Sequence, residues 1–242
     1  MNKRENQMRA VSMHTGFIPT ADGSVLIEVG HTRLICTAMI EEAVPAFRAG
    51  TGLGWVSAEY AMLPASTQTR KKRDRERTDG RSVEIQRLIG RSLRSVVDMS
   101  LLKERTIWLD CDVIQADGGT RTAGITGAFV ALALAVERML ADGRLQKCPL
   151  RDYVSAIGCG IVEGQPVLDL CYAQDSKAEV DMNVVMSGSG DLIEVQGTGE
   201  KRPFTRREMH MLMELAAYGT SMLCAKQKEA LGSMAAQIGV GI

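Results

Sequence analysis

Residues 110–126 read DCDVIQADGGTRTAGIT, and this stretch decides the fold because it predicts a strand, a turn and a helix in direct succession. Ile, Leu, Cys and Val occupy every second position from 107 to 113, which is the period-2 pattern of a sheet strand. The chain then turns at Asp117-Gly118-Gly119, and a long apolar helix is predicted from about Thr122 to Leu140.

The turn predicts an anion site. Gly118 and Gly119 have no Cβ, so the backbone can approach a ligand closely and adopt positive φ. The N–H groups of Thr120, Arg121 and Thr122 lack intrahelical acceptors, and together with the helix dipole they attract negative charge. Since Arg121 adds a fixed positive charge, phosphate is the expected guest.

The residues of the turn leave other interpretations open. One is a plain tight turn without a ligand. Another is a nucleotide-binding P-loop, because Gly119 and Gly124 have the required spacing. However, Ile125-Thr126 stand where that motif needs Lys-Ser/Thr, so the arginine must supply the main charge.

Composition limits the function. With 242 residues the chain can form one or two domains, and 45% hydrophobic residues are ordinary for a globular protein. The 29 basic and 29 acidic residues cancel, so any contact with RNA requires local clustering of positive charge. The few aromatic residues offer no obvious platform for stacked bases.

The cysteines and the N-terminus predict a cytoplasmic protein without a membrane partner. None of the six cysteines forms a C-x-x-C pair, which favours reduced, buried thiols over a zinc site or a disulfide framework. Four of them, Cys36, Cys111, Cys159 and Cys171, fall in apparent strands. The N-terminal MNKRENQMRA has no apolar region typical of a signal peptide, and no apolar run of about 18 residues is free of charge.

Further periodicity predicts two similar halves, roughly 1–143 and 150–231, within a single domain spanning 1–242. Residues 232–242 are expected to fray or to dock on a neighbour. Strands are expected at 24–29, 32–40, 54–62, 153–162, 165–172, 180–187 and 192–197, and helices at 82–99 and from Thr205 to Leu231. Ser82 is the expected N-cap of the first helix, and Thr205 with Glu208 predicts a capping box for the last.

One basic run interrupts the chain. Residues 70–81, RKKRDRERTDGR, hold seven basic and three acidic residues, a net charge of +4 in a neutral protein. A solvated loop and an RNA contact are both open interpretations of this run. The following helix places Arg87, Arg91 and Arg94 opposite its apolar stripe, which favours solvent or a subunit interface for them.

Asp175 and Asp181 flank the segment SKAEV and could share one hard divalent cation. The residues alone do not select this pair over two surface aspartates. They also do not select it over the other acidic candidates, Asp110, Asp112, Asp117 and Glu179. For Asp117, shaping of the glycine turn is the favoured role. The three scattered histidines give no sign of a covalent hydrolase.

Five motifs together resemble the ribonuclease PH family, and the resemblance spans roughly residues 4–231. The motifs, in chain order, are GWVSAEYAMLPAST (54–67), GRSVEIQRLIGRSLR (80–94), LDCDVIQADGGTRTAGITGA (109–128), AEVDMNVVM (178–186) and EVQGTGE (194–200). The resemblance implies an α/β fold of the α+β type, with mixed sheets flanked by helices, like domain 2 of ribosomal protein S5. It also implies a homohexamer built as a trimer of dimers.

The resemblance further implies a phosphorolytic 3′→5′ exoribonuclease, a tRNA nucleotidyltransferase that trims tRNA precursors and other RNA 3′ ends. The matching positions are phosphate-binding for Arg81, Gly119, Thr120 and Arg121, and metal-binding for Asp175 and Asp181. Arg81, Arg121 and Asp181 are the expected catalytic residues. Mg²⁺ or Mn²⁺ is the expected cofactor, inorganic phosphate is the co-substrate, and Arg70 and Arg73 are expected to contact tRNA.

The chain departs from the family at a few positions. Ala65 stands where many members have an arginine that contacts tRNA, the basic loop is slightly shorter, and an N-terminal Asp-Gly-Arg is absent, although Arg9 has a match. Two rival functions remain. One is a non-catalytic RNA-binding subunit of an exosome-like ring, and the other is a hydrolytic nuclease. The first is disfavoured because the phosphate arginines and metal aspartates are all present.

Overall fold

A computed structural model describes residues 6–73 and 79–240. The strands are β1 (Val11–Thr15), β2 (Gly23–Val29), β3 (Thr32–Glu41), β4 (Trp55–Met62), β5 (Thr106–Gln115), β6 (Val154–Val162), β7 (Gln165–Leu168), β8 (Val180–Ser187) and β9 (Leu192–Gly199). The α-helices are α1 (Gly80–Arg94), α2 (Met99–Leu102), α3 (Thr120–Ala141), α4 (Tyr172–Asp175) and α5 (Arg206–Leu231). A 3₁₀ helix, Gly232–Gln237, follows α5.

The strands form two sheets. The first has the order β1-β2-β3-β5-β4, in which only the β4–β5 pair is parallel, and the second has the antiparallel order β7-β6-β8-β9. The predicted hairpin at Gly30-His31 joins β2 to β3. Each half therefore contains a sheet and a long helix, as the repeated pattern of the sequence predicts.

Helix α3 lies between the two sheets. It packs against β2 and β3 on one side and against β6 on the other, so its side chains are buried almost all round. Gly127 allows the close approach, because a Cβ there would lie 2.8 Å from both Cys36 Sγ and Ile27 Cγ2. Phe129 is fully buried, and each side chain of this kind stabilises the fold by roughly 1.5–3 kcal/mol.

The same helix is long and apolar enough to cross a membrane by length and composition. Because most of it is buried between the sheets, it is the core helix of the fold. Helix α1 covers β4 and contacts α3, whereas α5 covers the second sheet and reaches β1. Helices α1 and α5 therefore cover different sheets.

Several predicted boundaries are wrong. Helix α1 begins at Gly80, since the Asp79 carboxylate accepts the N–H of Arg81 at 3.4 Å and takes the N-cap role expected of Ser82. It ends at Arg94 because residues 96–98 pair with residues 149–151 of the inter-half segment. Strand β7 stops at Leu168, four residues earlier than predicted, because the next residue adopts a left-handed conformation.

The C-terminal segment does not fray over the described residues. Met234 is fully buried, the hydroxyl of Tyr153 donates to Ala235 O at 2.9 Å, and Gly239 N–H donates to Leu150 O at 3.0 Å. The segment therefore packs on its own chain. The predicted capping box of Thr205 and Glu208 is present at the start of α5. Strand β1 was not predicted.

All six cysteines are free, and Cys36, Cys111, Cys159 and Cys224 are buried. This agrees with the expectation of reduced thiols. Cys171, however, precedes α4 and is not part of a strand.

Arg94 differs from the expectation that it faces solvent or a subunit interface. Its guanidinium donates to Val56 O at 2.9 Å and lies 4.4 Å from the centre of the Trp55 ring.

Candidate active site

The site is built around the turn between β5 and α3. Gly118 and Gly119 have φ of +77° and +68°, and Gly119 is the left-handed N-cap of α3. A Cβ on Gly118 would lie 2.6 Å from Leu170 O, so only glycine fits there. Within the described chain no side chain caps α3, which leaves the N–H groups of its first turn without a side-chain acceptor.

The structure brings both predicted phosphate arginines to this turn. The buried Tyr60 of β4 donates its hydroxyl to Thr120 Oγ1 at 2.8 Å. Burial raises the pKa of Tyr60, whereas the bond to Thr120 and the charges of Arg81 and Arg121 lower it. Both guanidinium groups are therefore near enough to Tyr60 for their charges to act on it, and Arg121 itself belongs to the first turn of α3.

Arg121 has partners of its own. Its Nη1 donates to Gln196 Oε1 at 3.1 Å and lies 3.5 Å from Glu84 Oε1. Gln196 belongs to β9 and Glu84 to α1, so elements from both halves hold this side chain. Arg81 is exposed at the second residue of α1.

The structure also brings Asp175 and Asp181 together. Asp175 ends α4, and Asp181 is the second residue of β8. Burial is the largest cause that raises the pKa of Asp181 to about 6; Asp175 adds to this effect, and the nearby charge of Arg121 opposes it. Asn183 Nδ2 donates to Asp181 Oδ2 at 3.4 Å. The charges of Asp175 and Arg121 thus both act on Asp181.

The other acidic candidates lie elsewhere. Asp110 and Asp112 point away from α3, since Cys111 between them faces that helix, with its Sγ 3.7 Å from Gly124 O. Glu179 Oε2 accepts a hydrogen bond from Arg202 Nε at 2.7 Å. Asp110, Asp112 and Glu179 are therefore not directed at the start of α3, whereas the charge of Arg121 acts on Asp181.

Asp117 supports the turn, which is the role that the sequence favours. Its Oδ1 accepts the N–H of Tyr172 at 3.2 Å, and its Oδ2 lies 4.0 Å from Arg9 Nη1. Its own N–H donates to Thr32 Oγ1 at 2.9 Å, and the Thr32 hydroxyl donates to Gly118 O at 2.6 Å. The backbone of the turn is therefore fixed by side chains from distant parts of the chain.

Arg9 is the strongest of these supports. Its Nη2 donates to Asp169 Oδ1 at 2.7 Å, its Nε to Asp169 Oδ2 at 3.0 Å, and its Nη1 to Asp117 O at 2.6 Å. Only 10% of the Arg9 side chain and 6% of the Asp169 side chain is exposed. Burial by itself lowers the pKa of Arg9, but the bonds and charge of Asp169 outweigh this effect and raise it.

The predicted RNA-contact residues Arg70 and Arg73 are exposed, in the segment between β4 and α1. Residues 74–78 of the basic run lie outside the described residues. Ala65, where many family members have an arginine, is exposed in the same segment. The described part of the run agrees equally well with a solvated loop and with an RNA contact.

Comparison with known proteins decides the family. The model of domain 1 of the 3′ exoribonuclease family matches residues 7–136, and the model of domain 2 matches residues 152–219. The chain belongs to the ribonuclease PH family. Curated relatives named Ribonuclease PH include that of Syntrophomonas wolfei, 56% identical over 96% of this chain and 98% of the relative. That of Moorella thermoacetica is 55% identical over 97% of this chain and 95% of the relative.

Solved structures share the fold of the family at low identity. Rice (Oryza sativa) Rrp46 has a TM-score of 0.76 and 18% identity, covering 95% of this chain and 98% of that chain. An Archaeoglobus fulgidus exosome with RNA bound to the active site also has a TM-score of 0.76 and 18% identity, covering 94% and 90%. These matches confirm the predicted α/β fold of the ribonuclease PH type.

Membership of the ribonuclease PH family also confirms the predicted enzyme class, a phosphorolytic 3′→5′ exoribonuclease with nucleotidyltransferase activity. The rival interpretation as a non-catalytic exosome-like subunit has less support. The Rrp46 and exosome structures are 18% identical in sequence to this chain, whereas the relatives named Ribonuclease PH are more than 50% identical.

The sequence did not reveal the Arg9–Asp169 pair. Arg9 matches the ribonuclease PH family, but nothing in the sequence marks Asp169, which is a buried aspartate with φ of +54°. An aspartate directly after a strand and close to a cysteine has many ordinary explanations. The contact spans 160 positions, so local patterns could not reveal it.

Replacement of Arg9 by Met should lower the free energy of unfolding by about 3–5 kcal/mol, because it removes the guanidinium that binds the buried Asp169 carboxylate through Nε and Nη2. Urea unfolding followed by circular dichroism measures this change. Arg33→Met is the matched control, since Arg33 pairs with Glu28 at the surface and is 49% exposed. Loss of the exposed Arg33–Glu28 pair should lower the free energy of unfolding by at most about 1 kcal/mol. Equal losses in the two variants would contradict the prediction.

Proposed function

We propose that this chain removes nucleotides from the 3′ ends of tRNA precursors with inorganic phosphate as the attacking group. The observation that carries the proposal is the shared position of Arg81, Arg121 and the uncapped N-terminal end of α3 beside Asp175 and Asp181. Phosphoryl transfer depends chiefly on positioning and electrostatic stabilisation, and this arrangement offers both.

The arginines and the turn bind and orient the phosphate. Arg81 and Arg121 donate to its oxygens, and the N–H groups of Gly119 and Thr120 complete the cradle at the helix end. A phosphate oxygen then bonds to phosphorus of the terminal phosphodiester, and the bond to the 3′ oxygen breaks. The 3′ oxygen gains a proton, the shortened RNA ends in a hydroxyl, and a nucleoside 5′-diphosphate leaves. The reverse reaction adds a nucleotide.

Asp175 and Asp181 would hold Mg²⁺, or Mn²⁺. Burial, and after it the charge of Asp175, raises the pKa of Asp181, and a partly buried place with two carboxylates suits a hard cation with oxygen ligands. Among the residues that the structure describes, no set of three ligand-type side chains gathers as a metal site. This fits Mg²⁺, which commonly takes one or two carboxylates and completes its shell with water and substrate phosphates. When bound, the cation would neutralise charge that develops on the scissile phosphate.

Arg70 and Arg73 would bind the RNA backbone at a distance from the reacting phosphate. Since the chain is neutral overall, the net charge of +4 in residues 70–81 is concentrated there. The proposal extends to a homohexamer, a trimer of dimers, in which loops of neighbouring subunits combine into one basic surface. It also extends to a cytoplasmic location, with which six free thiols agree.

The proposed function is tested by the requirement for phosphate. A 3′-extended tRNA is incubated with the enzyme and Mg²⁺, with and without inorganic phosphate, and the released nucleotides are separated. Nucleoside diphosphates should form only when phosphate is present. Release of monophosphates at the same rate without phosphate would identify a hydrolytic nuclease and overturn the proposal.

Arg121→Ala and Arg81→Ala should raise the KM for phosphate and lower kcat. Loss of one charge-assisted contact costs roughly 2–4 kcal/mol of transition-state stabilisation. Phosphate saturation kinetics measure the change. Arg138→Ala is the control, because Arg138 lies near the opposite end of α3 and pairs with Asp22 at 3.1 Å. Unchanged phosphate kinetics in both site variants would remove them from the site.

Asp175→Asn and Asp181→Asn should abolish turnover and largely spare RNA binding, because the carboxylates are assigned to the cation and the RNA contact to the basic run. Turnover is titrated against Mg²⁺, and RNA affinity is measured separately. Asp191→Asn removes one charge from the exposed β8–β9 turn and serves as the control. Near-normal turnover of either site variant at low Mg²⁺ would contradict the assignment.

Joint replacement of Arg70 and Arg73 by Ala should weaken tRNA binding and flatten its dependence on salt by about two units for each loop engaged. Trimming of a short RNA should suffer less, because a short substrate does not reach these residues. The control pair is Arg206 and Arg207, which are exposed at the start of α5. If tRNA affinity depends equally on salt in the wild type and in the loop variant, the basic run is a solvated loop that does not contact RNA.

A further inference from the structure

A chain of hydrogen bonds ends on the guanidinium group of Arg121. Gln196 Oε1 accepts from Arg121 Nη1 at 3.1 Å, and Gln196 Nε2 donates to Glu194 Oε1 at 3.0 Å. Glu194 in turn accepts from Arg91 Nη2 at 2.9 Å and from Arg91 Nε at 3.3 Å. The order along this relay is therefore Arg91, Glu194, Gln196, Arg121.

The chemistry of the relay fixes the orientation of the amide. A carboxylate paired with an arginine can only accept hydrogen bonds, so the NH₂ group of Gln196 must face Glu194. The carbonyl oxygen of Gln196 must then face Arg121. Because an amide oxygen carries no full charge, it orients one N–H of Arg121 without neutralising the guanidinium, whose remaining N–H groups stay available to an anion.

The relay also connects the elements that form the phosphate site. Glu194 and Gln196 are alternate residues of β9, so their side chains leave the same face of the second sheet. Arg91 belongs to α1, which also carries Arg81, and Arg121 belongs to α3. The relay therefore ties both arginine-bearing helices to one strand of the other half.

We propose that Gln196, held by Glu194 and Arg91, is a positioning residue that sets the Arg121 guanidinium for the attacking phosphate. This proposal rests on the proposed role of Arg121 in binding phosphate. Glu84 is the informative contrast, because it approaches the same Nη1 at 3.5 Å but is anionic and 53% exposed. A carboxylate competes with phosphate for the guanidinium, whereas the amide oxygen only directs it.

The experiment compares three single variants by phosphate saturation kinetics at fixed RNA. Gln196→Met keeps the length of the side chain and removes the acceptor. It should raise the KM for phosphate about ten-fold or more, the size expected for one hydrogen bond to a charged group, and leave the KM for RNA within about two-fold. Gln196→Glu should raise the KM for phosphate further, because a carboxylate at this position repels both phosphate and Glu194. Glu84→Gln should not raise it.

A second comparison tests the relay itself. Glu194→Gln removes the group that orients the amide, so it should raise the KM for phosphate in the wild type and have no further effect in the Gln196→Met background. Such non-additivity is the signature of residues that act as one unit. Unfolding midpoints of all variants are measured alongside, and they should stay close to that of the wild type because Glu84 is exposed and Glu194 and Gln196 are only half-buried.

A KM for phosphate within two-fold of wild type in Gln196→Met would overturn the inference, as would an equal rise in Glu84→Gln. Arg121→Ala is measured in the same series. If it leaves phosphate kinetics unchanged, the proposed role of Arg121 fails and the inference fails with it. If it raises the KM for phosphate while Gln196→Met does not, the relay alone is rejected.

Discussion

The buried ion pair between Arg9 and Asp169 is the constraint on which the geometry of the turn at residues 117–119 depends. Arg9 binds the aspartate of the second half through Nε and Nη2 and the carbonyl of Asp117 through Nη1. A buried pair of this kind seldom adds much stability by itself, because desolvation offsets much of the attraction. Its effect here is geometric, because it holds the carbonyl groups of the turn on one side and leaves the N–H groups of α3 facing the site.

Charge placement explains why the site lies where the halves meet. Helix α3 contributes a partly positive N-terminal end and Arg121, α1 contributes Arg81, and the second sheet contributes Asp181 with Asp175 from the neighbouring α4. Burial, which is the largest cause, and the charge of Asp175 raise the pKa of Asp181 to about 6, although the charge of Arg121 lowers it. A site with this division suits a substrate that is anionic and a cofactor that is cationic.

Patterns among neighbouring residues predicted those elements whose formation depends mainly on neighbouring residues. The strand, turn and buried helix around residues 110–126 follow from apolar periodicity and two glycines, and the family motifs supplied the site residues that lie in them. The start of α1 was predicted wrongly because Asp79 and Ser82 are both good caps, and only the structure shows which one is used. The residues alone did not select Asp175 and Asp181 over Asp110 and Asp112, because periodicity does not say which face of the sheet meets α3, and the pair came from the family resemblance. The relay through Glu194 and Gln196 could not be predicted at all, since it joins positions more than a hundred residues apart.

The sequence separation of the Arg9 contacts has a consequence for the synthesis of the protein. Arg9 emerges early from the ribosome, but its partner Asp169 follows 160 residues later. The carboxylate of Asp181 and the amide of Gln196 come later still. An incomplete nascent chain therefore has the glycine turn and Arg121 without the groups that fix or complete them. The glycine turn can therefore reach its final geometry only after most of the chain has been synthesised.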